Sequence, residues 1–415
     1  MNKLVKLREV AEIVISNVDK KYNSDEKEIT LCNYTDVYKN WAITLENSKS
    51  FMLATAKEKE IEKFILRKGQ VAITKDSEKK DDIGISAYIS KNFNDTLLGY
   101  HCALITPNTE YLNGKFLNVF LHSKLAKKYF ENQASGSGQR YSLSLESLNS
   151  LKIPLFNIGI QKKIGELYSN IDKKIEINNK INSELEAMAK TIYDYWFLQF
   201  EFPNEEGKPY KSSGGKMVWN DELKREIPEG WEVKSIFDEL SVQYGFPFAT
   251  DKFTDVKTDI PVIRIRDILT NTTSTYSNEN VDEKYRLNEQ DLLIGMDGNF
   301  HMNYWIDNTS YLNQRSVRLR TKDTSNVSII QVKYNIAPYI KAKEERAGGS
   351  TVGHLSDKDL KELKILVPKT KKLREILDNT LMKIVKNRRE NQELTSLRDF
   401  LLPLLMNGQV GFKGE

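Results

Sequence analysis

The chain has 415 residues, 39% hydrophobic and 29% charged, a length and composition that allow several globular domains. Its formal net charge of +4 at pH 7 permits a nucleic-acid partner without requiring one. The two cysteines, Cys32 and Cys102, exclude a disulfide framework, and the first residues do not resemble a signal peptide. Because no apolar run approaches the roughly 20 residues that cross a bilayer, the sequence predicts a cytoplasmic protein with no membrane partner.

Residues 1–156 predict a first globular domain. Apolar, β-branched runs at 64–74, 82–89 and 100–107 are typical of strands, and Gly- and Asn-containing turns separate them. The segment 117–133 has the apolar spacing of a helix. The predicted fold class is therefore α/β or α+β.

A long helix is predicted within residues 157–200, where proline is absent. One row of residues is spaced by seven: Ile164, Ile171, Asn178, Leu185 and Ile192. A second row lies three residues further on in each heptad, with Lys174 as its polar exception: Leu167, Ile181, Met188 and Tyr195. Two such rows predict a coiled-coil seam. Asn178 is either a register-setting polar residue or a tolerated polar residue near a helix end.

A polar segment at 201–226, rich in Gly, Ser and Pro, predicts a hinge, and a second mixed domain is predicted at 227–368. Its strand-like runs lie at 260–268, 290–298 and 315–320. The Gly-Met-Asp-Gly sequence at 295–298 is compatible with a strand that ends in a tight turn or with a carboxylate site.

A second long helix is predicted at 369–410, followed by a tail at 411–415. Its apolar pattern is less regular, and its seam residues are Leu377, Ile384, Asn391 and Leu394. Since a single helix of this length cannot bury its own stripe, we expect the two helices to pair antiparallel; the alternative is that each packs on its own domain. The basic stretch 371–390 could follow a phosphate backbone, face solvent or dock another protein.

The chain repeats itself. Residues 142–155 match 354–367 at a constant offset of 212, which continues without a gap into both long helices. A small Ser- and Gly-rich loop precedes the matched segment in each half. At the front of each half, residues 5–13 loosely resemble 233–241 at an offset of 228. The sequence therefore predicts two similar domains separated by two long helices.

Catalytic signatures are missing from the sequence. It has no Gly-rich phosphate loop that ends in Gly-Lys-Ser/Thr and no Asn-Pro-Pro-aromatic motif. The four histidines, His101, His122, His301 and His354, are scattered and have no metal-ligand spacing. The sequence thus predicts a chain that is not an enzyme and binds no metal.

Two similar domains on a spacer suit the reading of two separated DNA half-sites, and different domains predict an asymmetric site. Arg, Asn and Gln can contact base edges, while Ser, Thr and backbone N–H groups suit phosphates. The candidate DNA-binding residues are Lys75, Ser77, Gln139, Arg140, Tyr141, Tyr244, Arg264, Arg266, Asn299, His301, Arg315, Gly349, Ser350 and Thr351. We expect Arg264 and Arg266 to alternate on one strand, with one of them paired to Asp267 or Asp297.

The chain resembles the specificity subunits of type I restriction–modification systems. The resemblance covers the segment 153–197, IPEGWEV at 227–233, IPVIRIRDI at 260–268, GGSTVGHLSDKDLKELKI at 348–365 and LRDFLLPLLMNGQV at 397–410. The second helix departs from the pattern, because it lacks the Pro-rich lead and the glutamine of the first.

This resemblance implies two target-recognition domains that bind double-stranded DNA. It implies partnership with two methyltransferase subunits, which bind S-adenosylmethionine and methylate adenine N6, and with two motor-nuclease restriction subunits, which use ATP and Mg. This chain itself would bind no cofactor. The alternatives are a stand-alone nucleic-acid-modifying enzyme, which should modify or cut DNA alone, and a coiled-coil scaffold that binds only proteins.

Overall fold

The computed structural model describes residues 3–137, 140–347 and 353–412. The chain divides into two compact units: unit 1 is formed by residues 1–175 and 393–415, and unit 2 by residues 176–392. Each unit contains mixed β-sheets and helices, so the predicted fold class is confirmed.

The central sheet of unit 1 has five strands. In spatial order they are Ala11–Ile15, Cys102–Pro107, Val71–Thr74, Ser86–Ile89 and Ala42–Ile43. Two three-stranded sheets are formed by Met52–Ala56, Lys27–Cys32 and Thr96–Leu98, and by Ser135–Ser137, Arg140–Ser142 and Asp76–Ser77. The short helices are Tyr34–Lys39, Leu45–Ser48, Glu58–Phe64, Gly114–Leu121, Lys124–Gln133 and Leu145–Asn149. Alternating apolar residues of the central strands, Val71 and Ile73 among them, enter the main core of this unit.

Unit 2 contains two four-stranded sheets. The first has the order Leu240–Tyr244, Ser316–Thr321, Leu292–Gly295 and Met302–Tyr304, and the second the order Phe253–Thr254, Tyr276–Ser277, Ile260–Ile263 and Tyr311–Leu312. A helix at Ile329–Ala347, which contains Pro338, packs on the first sheet, and shorter helices span Ile236–Glu239 and Asp357–Lys361.

The segment expected to be an exposed hinge is partly packed. It contains a hairpin of Met217–Asn220 and Arg225–Pro228. Met217 and Val218 pack against the core of unit 2, and the ring of Phe202 stacks 4.8 Å from that of Trp231. Apolar side chains inside the polar segment therefore tie it to the unit that follows.

The repeat is visible in strand pairing. Lys152–Leu155 pairs antiparallel with Lys3–Lys6, and Lys364–Val367 pairs in the same way with Glu232–Ser235. Lys6 lies opposite Lys152 and Ser235 opposite Lys364, so the offset at the front of the repeat is 229 (235 minus 6). The predicted offset of 228 was wrong by one residue. A one-residue slip would turn every side chain to the opposite face of the strand.

The long helices span Ile158–Tyr193 and Lys372–Met406, and a π-helical turn, Asp194–Leu198, follows the first. In unit 2 the contacts run antiparallel, because Asn178 bonds to Asn391 and Asn182 bonds to Asn387. In unit 1, the hydroxyl group of Tyr168 donates to the backbone oxygen of Arg398 at 2.9 Å. Both helices also pack on the core of each unit.

One of the two predicted rows of the first helix was wrong beyond its first residue. In the first row Ile164, Ile171 and Asn178 are buried and Leu185 and Ile192 are half-buried. In the second row Leu167 is half-buried, but Ile181, Met188 and Tyr195 are exposed. The row that completes the seam lies four residues after the first one: Tyr168, Ile175, Asn182, Ala189 and Trp196. The polar Asn182 and the small Ala189 interrupt this row, whereas Ile181 and Met188 lie at the same level of the other row, so hydrophobicity alone pointed to the wrong side of the helix.

The second helix has a regular seam. Leu377, Leu381 and Ile384 are buried, while Asn391 and Leu394 are half-buried. At the helix crossing the Nδ2 atom of Asn178 donates to Glu390 at 2.8 Å, and that of Asn391 donates to Asn179 at 2.8 Å. In each of these two bonds the residues are 212 apart, so they occupy equivalent positions of the repeat.

Candidate functional site

A buried carboxylate organises one end of the central sheet of unit 1. Asp76 lies two residues beyond the strand that ends at Thr74. Its Oδ2 atom lies 2.9 Å from Nζ of Lys75, 2.7 Å from Nδ1 of His101 and 3.2 Å from Nη2 of Arg140. The Asp76 side chain is 10% exposed, whereas that of Arg140 is 60% exposed. The carboxylate therefore anchors a guanidinium group that faces solvent.

The Asp76 carboxylate is held in its charged form. Burial alone would raise the pKa of Asp76, but hydrogen bonds from His101, Lys75 and Ser142 outweigh that effect and lower the pKa to about 2. The anion therefore persists at neutral pH and can orient the cations around it.

Unit 2 contains a matching cluster around Asp297. Its Oδ2 atom lies 2.8 Å from Nη1 of Arg315, and its Oδ1 atom lies 2.5 Å from Nδ1 of His354. The side chain of Asp297 is 18% exposed and that of Arg315 is 70% exposed. Burial alone would raise the pKa of Asp297, but hydrogen bonds from His354 and Arg315 lower it below its ordinary value. We call these two sets of residues the Asp76 cluster and the Asp297 cluster.

The backbone around the two clusters follows one pattern. In unit 1, the N–H of Lys75 donates to the carbonyl of His101 at 3.0 Å, and the N–H of Leu143 donates to the carbonyl of Lys75 at 2.7 Å. Asp76 also lies opposite Ser142 in a β-pair. This pattern fixes which residues of the other unit are equivalent.

In unit 2, Met296 takes the place of Lys75. Its N–H donates to the carbonyl of Arg315 at 2.8 Å, and its carbonyl accepts the N–H of Leu355 at 2.8 Å. Asp297 bridges to His354 as Asp76 pairs with Ser142. Asp297 is therefore equivalent to Asp76 and Arg315 to His101, so arginine and histidine approach the carboxylate from different backbone positions in the two units.

A cavity of about 470 Å³ adjoins the Asp76 cluster. Beside Asp76, His101 and Arg140, it is lined by Tyr34, Tyr38, Ser77, Glu78, Lys79 and Asp82. The hydroxyl group of Tyr38 donates to Asp82 at 2.9 Å, and the rings of Tyr34 and Tyr38 stack with centroids 5.7 Å apart. The cavity thus combines aromatic faces with hydrogen-bonding groups.

The structure brings several predicted residues together at these clusters. Lys75 and Arg140 contact Asp76, and Tyr141 lies opposite Ser77 in the adjoining β-pair. In unit 2, Arg315 belongs to the Asp297 cluster, and Asn299 and His301 follow Asp297 in the chain. The hydroxyl group of Tyr244 donates to Asp357 at 2.5 Å. Gln139, Gly349, Ser350 and Thr351 lie outside the described residues.

The prediction that Arg264 and Arg266 alternate on a strand was wrong. The strand ends at Ile263, and Arg264 begins a 3-10 turn that contains Arg266. The Nε atom of Arg266 lies 3.7 Å from Asp267, whereas the guanidinium of Arg264 lies over the ring of Phe253. Neither arginine has a contact with Asp297 among the described residues.

Sequence reasoning missed Asp76, His101 and His354 as members of a binding site, and it offered Asp297 only as a possible carboxylate site or as a partner of Arg264 or Arg266. The spacing between equivalent residues is 221 for the aspartates, 214 for His101 and Arg315, and 212 for Leu143 and Leu355. An ungapped comparison cannot align them, because insertions separate the elements. A gapped comparison anchored on each strand end would have found the two aspartates.

No group of three or more His, Cys, Asp or Glu residues suited to a metal ion occurs within residues 3–137, 140–347 and 353–412. In the same ranges, no helix has the length and apolarity needed to cross a membrane.

The two repeated units agree with the comparison to known families. The family model described as "Type I restriction modification DNA specificity domain" matches residues 2–187 and 228–396. The chain belongs to this family, which confirms the resemblance seen in the sequence.

Relatives span most of the chain. It is 26% identical over 308 residues to the type I restriction enzyme MjaIX specificity subunit of Methanocaldococcus jannaschii, covering 71% of this chain and 69% of the relative. It is 22% identical over 410 residues to the HindI specificity subunit of Haemophilus influenzae, covering 84% and 88%. The crystal structure of a type I S subunit from M. genitalium matches with a TM-score of 0.57 and 16% identity, over 97% of this chain and 95% of that one. This last similarity concerns the fold.

Proposed function

We propose that this chain recognises an asymmetric, gapped DNA site, with one half-site read by each unit. The observation that carries the proposal is the cluster that occurs twice on one backbone pattern with different side chains around it. A repeated backbone gives two binding surfaces of one type, and different side chains give them different base preferences. The two halves of the site should therefore differ in sequence.

Bound DNA would then be modified by partner subunits. We propose that two methyltransferase subunits carry S-adenosylmethionine and methylate adenine N6, and that two motor-nuclease subunits use ATP and Mg to cut unmodified DNA. The target adenine would be flipped into the pocket of the methyltransferase. This chain would act in the cytoplasm and would select the adenines that are presented, without taking part in the chemistry.

An exposed apolar row on the first long helix suits the docking of a partner subunit. Ile177, Ile181, Met188 and Tyr195 lie in the part of this helix that belongs to unit 2, and each is more than two-fifths exposed. Exposed apolar rows of this length are typical of protein–protein interfaces. We propose that a methyltransferase subunit covers this row.

The function is tested by sequencing host DNA for N6-methyladenine with the gene intact and deleted. We expect deletion to remove methylation from one asymmetric motif with two specified parts and an unspecified gap. Re-introduction of the gene should restore it. An unchanged methylation pattern in a strain that expresses the partner subunits would contradict the proposal.

The docking row is tested by co-purification. Met188→Glu places a charge in the row and should abolish co-purification of the methyltransferase subunit. Leu125→Glu is the control, because Leu125 is an apolar residue, 64% exposed, on a helix of unit 1. Retention of the partner by the Met188 variant would show that the row is not the docking surface.

A further inference from the structure

We propose that Arg140 and Arg315 each read a guanine, so that each half of the recognised site contains a G·C pair. The inference rests on the proposed function and adds the base that each cluster contacts. In this arrangement Asp76 and Asp297 are positioning residues, which orient the arginines without touching the DNA.

Each arginine is oriented by its carboxylate and is still able to donate hydrogen bonds. Within the described residues, the hydrogen bonds of Arg140 involve Nη2, and the bond of Arg315 involves Nη1. A guanidinium group has five N–H donors in a fixed plane, so Nε and Nη1 of Arg140 and Nε and Nη2 of Arg315 remain available to donate. Both side chains are mostly exposed while their carboxylates are mostly buried. A fixed, outward-facing fork is the geometry that donates to O6 and N7 of guanine.

Each of the two clusters suits the binding of a base better than the binding of a phosphate. The carboxylate lies within about one hydrogen-bond length of each guanidinium and offsets its charge. A phosphate bound at the arginine would also approach this carboxylate and be repelled. The guanine edge is uncharged and presents two acceptors, so it gains the paired hydrogen bonds without this repulsion.

Both units have an arginine beside the carboxylate, although the two arginines occupy different backbone positions. Arg140 lies on the strand Arg140–Ser142, whereas Arg315 immediately precedes the strand that begins at Ser316. Arg315 also has a φ of 62°, a left-handed conformation that side chains other than glycine seldom adopt. A strained backbone that aims one exposed side chain is typical of functional sites. The two units thus place a guanidinium beside the equivalent carboxylate by different routes.

The test compares the methylation motifs of strains that express wild-type protein, R140K or R315K together with the partner subunits. Lysine keeps the charge and loses the planar fork. We expect the wild-type motif to contain a G·C pair in each half, and each variant to relax that pair in one half only. R8K is the control, since Arg8 is an exposed arginine that pairs with Glu146 and belongs to neither cluster, and it should leave the motif unchanged.

Binding of the purified complex to oligonucleotides measures the size of the preference for guanine. At the base that each arginine contacts, the wild-type complex should prefer guanine over other bases by about 5- to 150-fold, which corresponds to one bidentate contact. R140K should bind all four bases alike at its own position and keep full selectivity in the other half-site. This measurement also decides the case in which a variant leaves no methylation in the cell.

Three results would overturn the inference. The first is a wild-type motif that lacks a G·C pair in either half. The second is a variant that retains guanine preference. The third is a variant that weakens binding to every sequence equally, as expected of a phosphate contact. In each of these three results, methylation of the motif still depends on the gene, so the proposed function stands. If methylation did not depend on the gene, both the proposed function and this inference would be wrong.

Discussion

Truncation of a buried seam residue tests the position of the helix seam. Leu381 lies in the core of unit 2 and is fully buried, whereas the next residue, Met382, is 52% exposed. Leu381→Ala removes buried methyl groups and leaves a cavity, which should cost about 3 kcal/mol of unfolding free energy. Met382→Ala removes a side chain of similar size that is already half in water, and it should cost less than about 1 kcal/mol.

Both substitutions lie in the same helix and the same unit, and both introduce alanine, so helix propensity cannot explain a difference between the two variants. In thermal unfolding followed by tryptophan fluorescence, about 3 kcal/mol corresponds to a fall of roughly 6–12 °C in the melting temperature of a unit of this size. Trp196 and Trp231 lie in the same core as Leu381 and report on it. Equal melting temperatures, or a larger fall for Met382→Ala, would refute the seam described above.

Three further substitutions test other parts of the molecule. Asn178→Ala breaks two hydrogen bonds between the long helices and should cost about 2 kcal/mol in chemical denaturation, whereas a tolerated polar residue would cost nothing measurable. Burial lowers the pKa of His122 from 6.5 to about 4, so the unfolded chain binds more protons in this interval and unit 1 should lose stability as the pH falls from 6.5 to 4. His122→Gln should remove this part of the pH dependence in denaturation curves at pH 7 and 5. Asp291→Ala leaves Arg320 without its buried partner and should cost about 3–5 kcal/mol, while Glu222→Ala in an exposed pair should cost less than about 1 kcal/mol in the same assay.

The repeat and the long helices could be predicted because they depend on local spacing. The offset of 212 joins helices whose starts are capped alike by Ser144 and Ser356, and both caps lie in segments without insertions. The presence of strands also follows from apolar runs such as 71–74. These features require only short-range patterns, which the sequence displays directly.

The face of the first helix could be predicted only in part. The exposed row contains Ile181 and Met188, while the buried row contains Asn182 and Ala189. Asn182 bonds to Asn387 and to the backbone of Ile384, so its polar groups are satisfied inside the seam. A hydrophobic pattern cannot show such partners, because they belong to a segment about 200 residues away.

The clusters could not be predicted because they form across long insertions. Arg140 and Arg315 were identified as candidates from their chemistry, but nothing local links either one to its aspartate. The partners of Asp76 come from positions 75, 101 and 140, and those of Asp297 from positions 315 and 354. Only the fold shows that these sets are equivalent.

The contacts at the helix crossing have a consequence for assembly. Asn178 meets Glu390 and Asn179 meets Asn391, which is how residues beside a two-fold axis meet their own counterparts in a homodimer. Here both partners belong to one polypeptide, so the pairing is intramolecular. Separate half-length chains would dissociate on dilution and would also form mixtures of like pairs. Because the two unlike units are joined in one polypeptide, each molecule contains one copy of each unit, whatever the expression level.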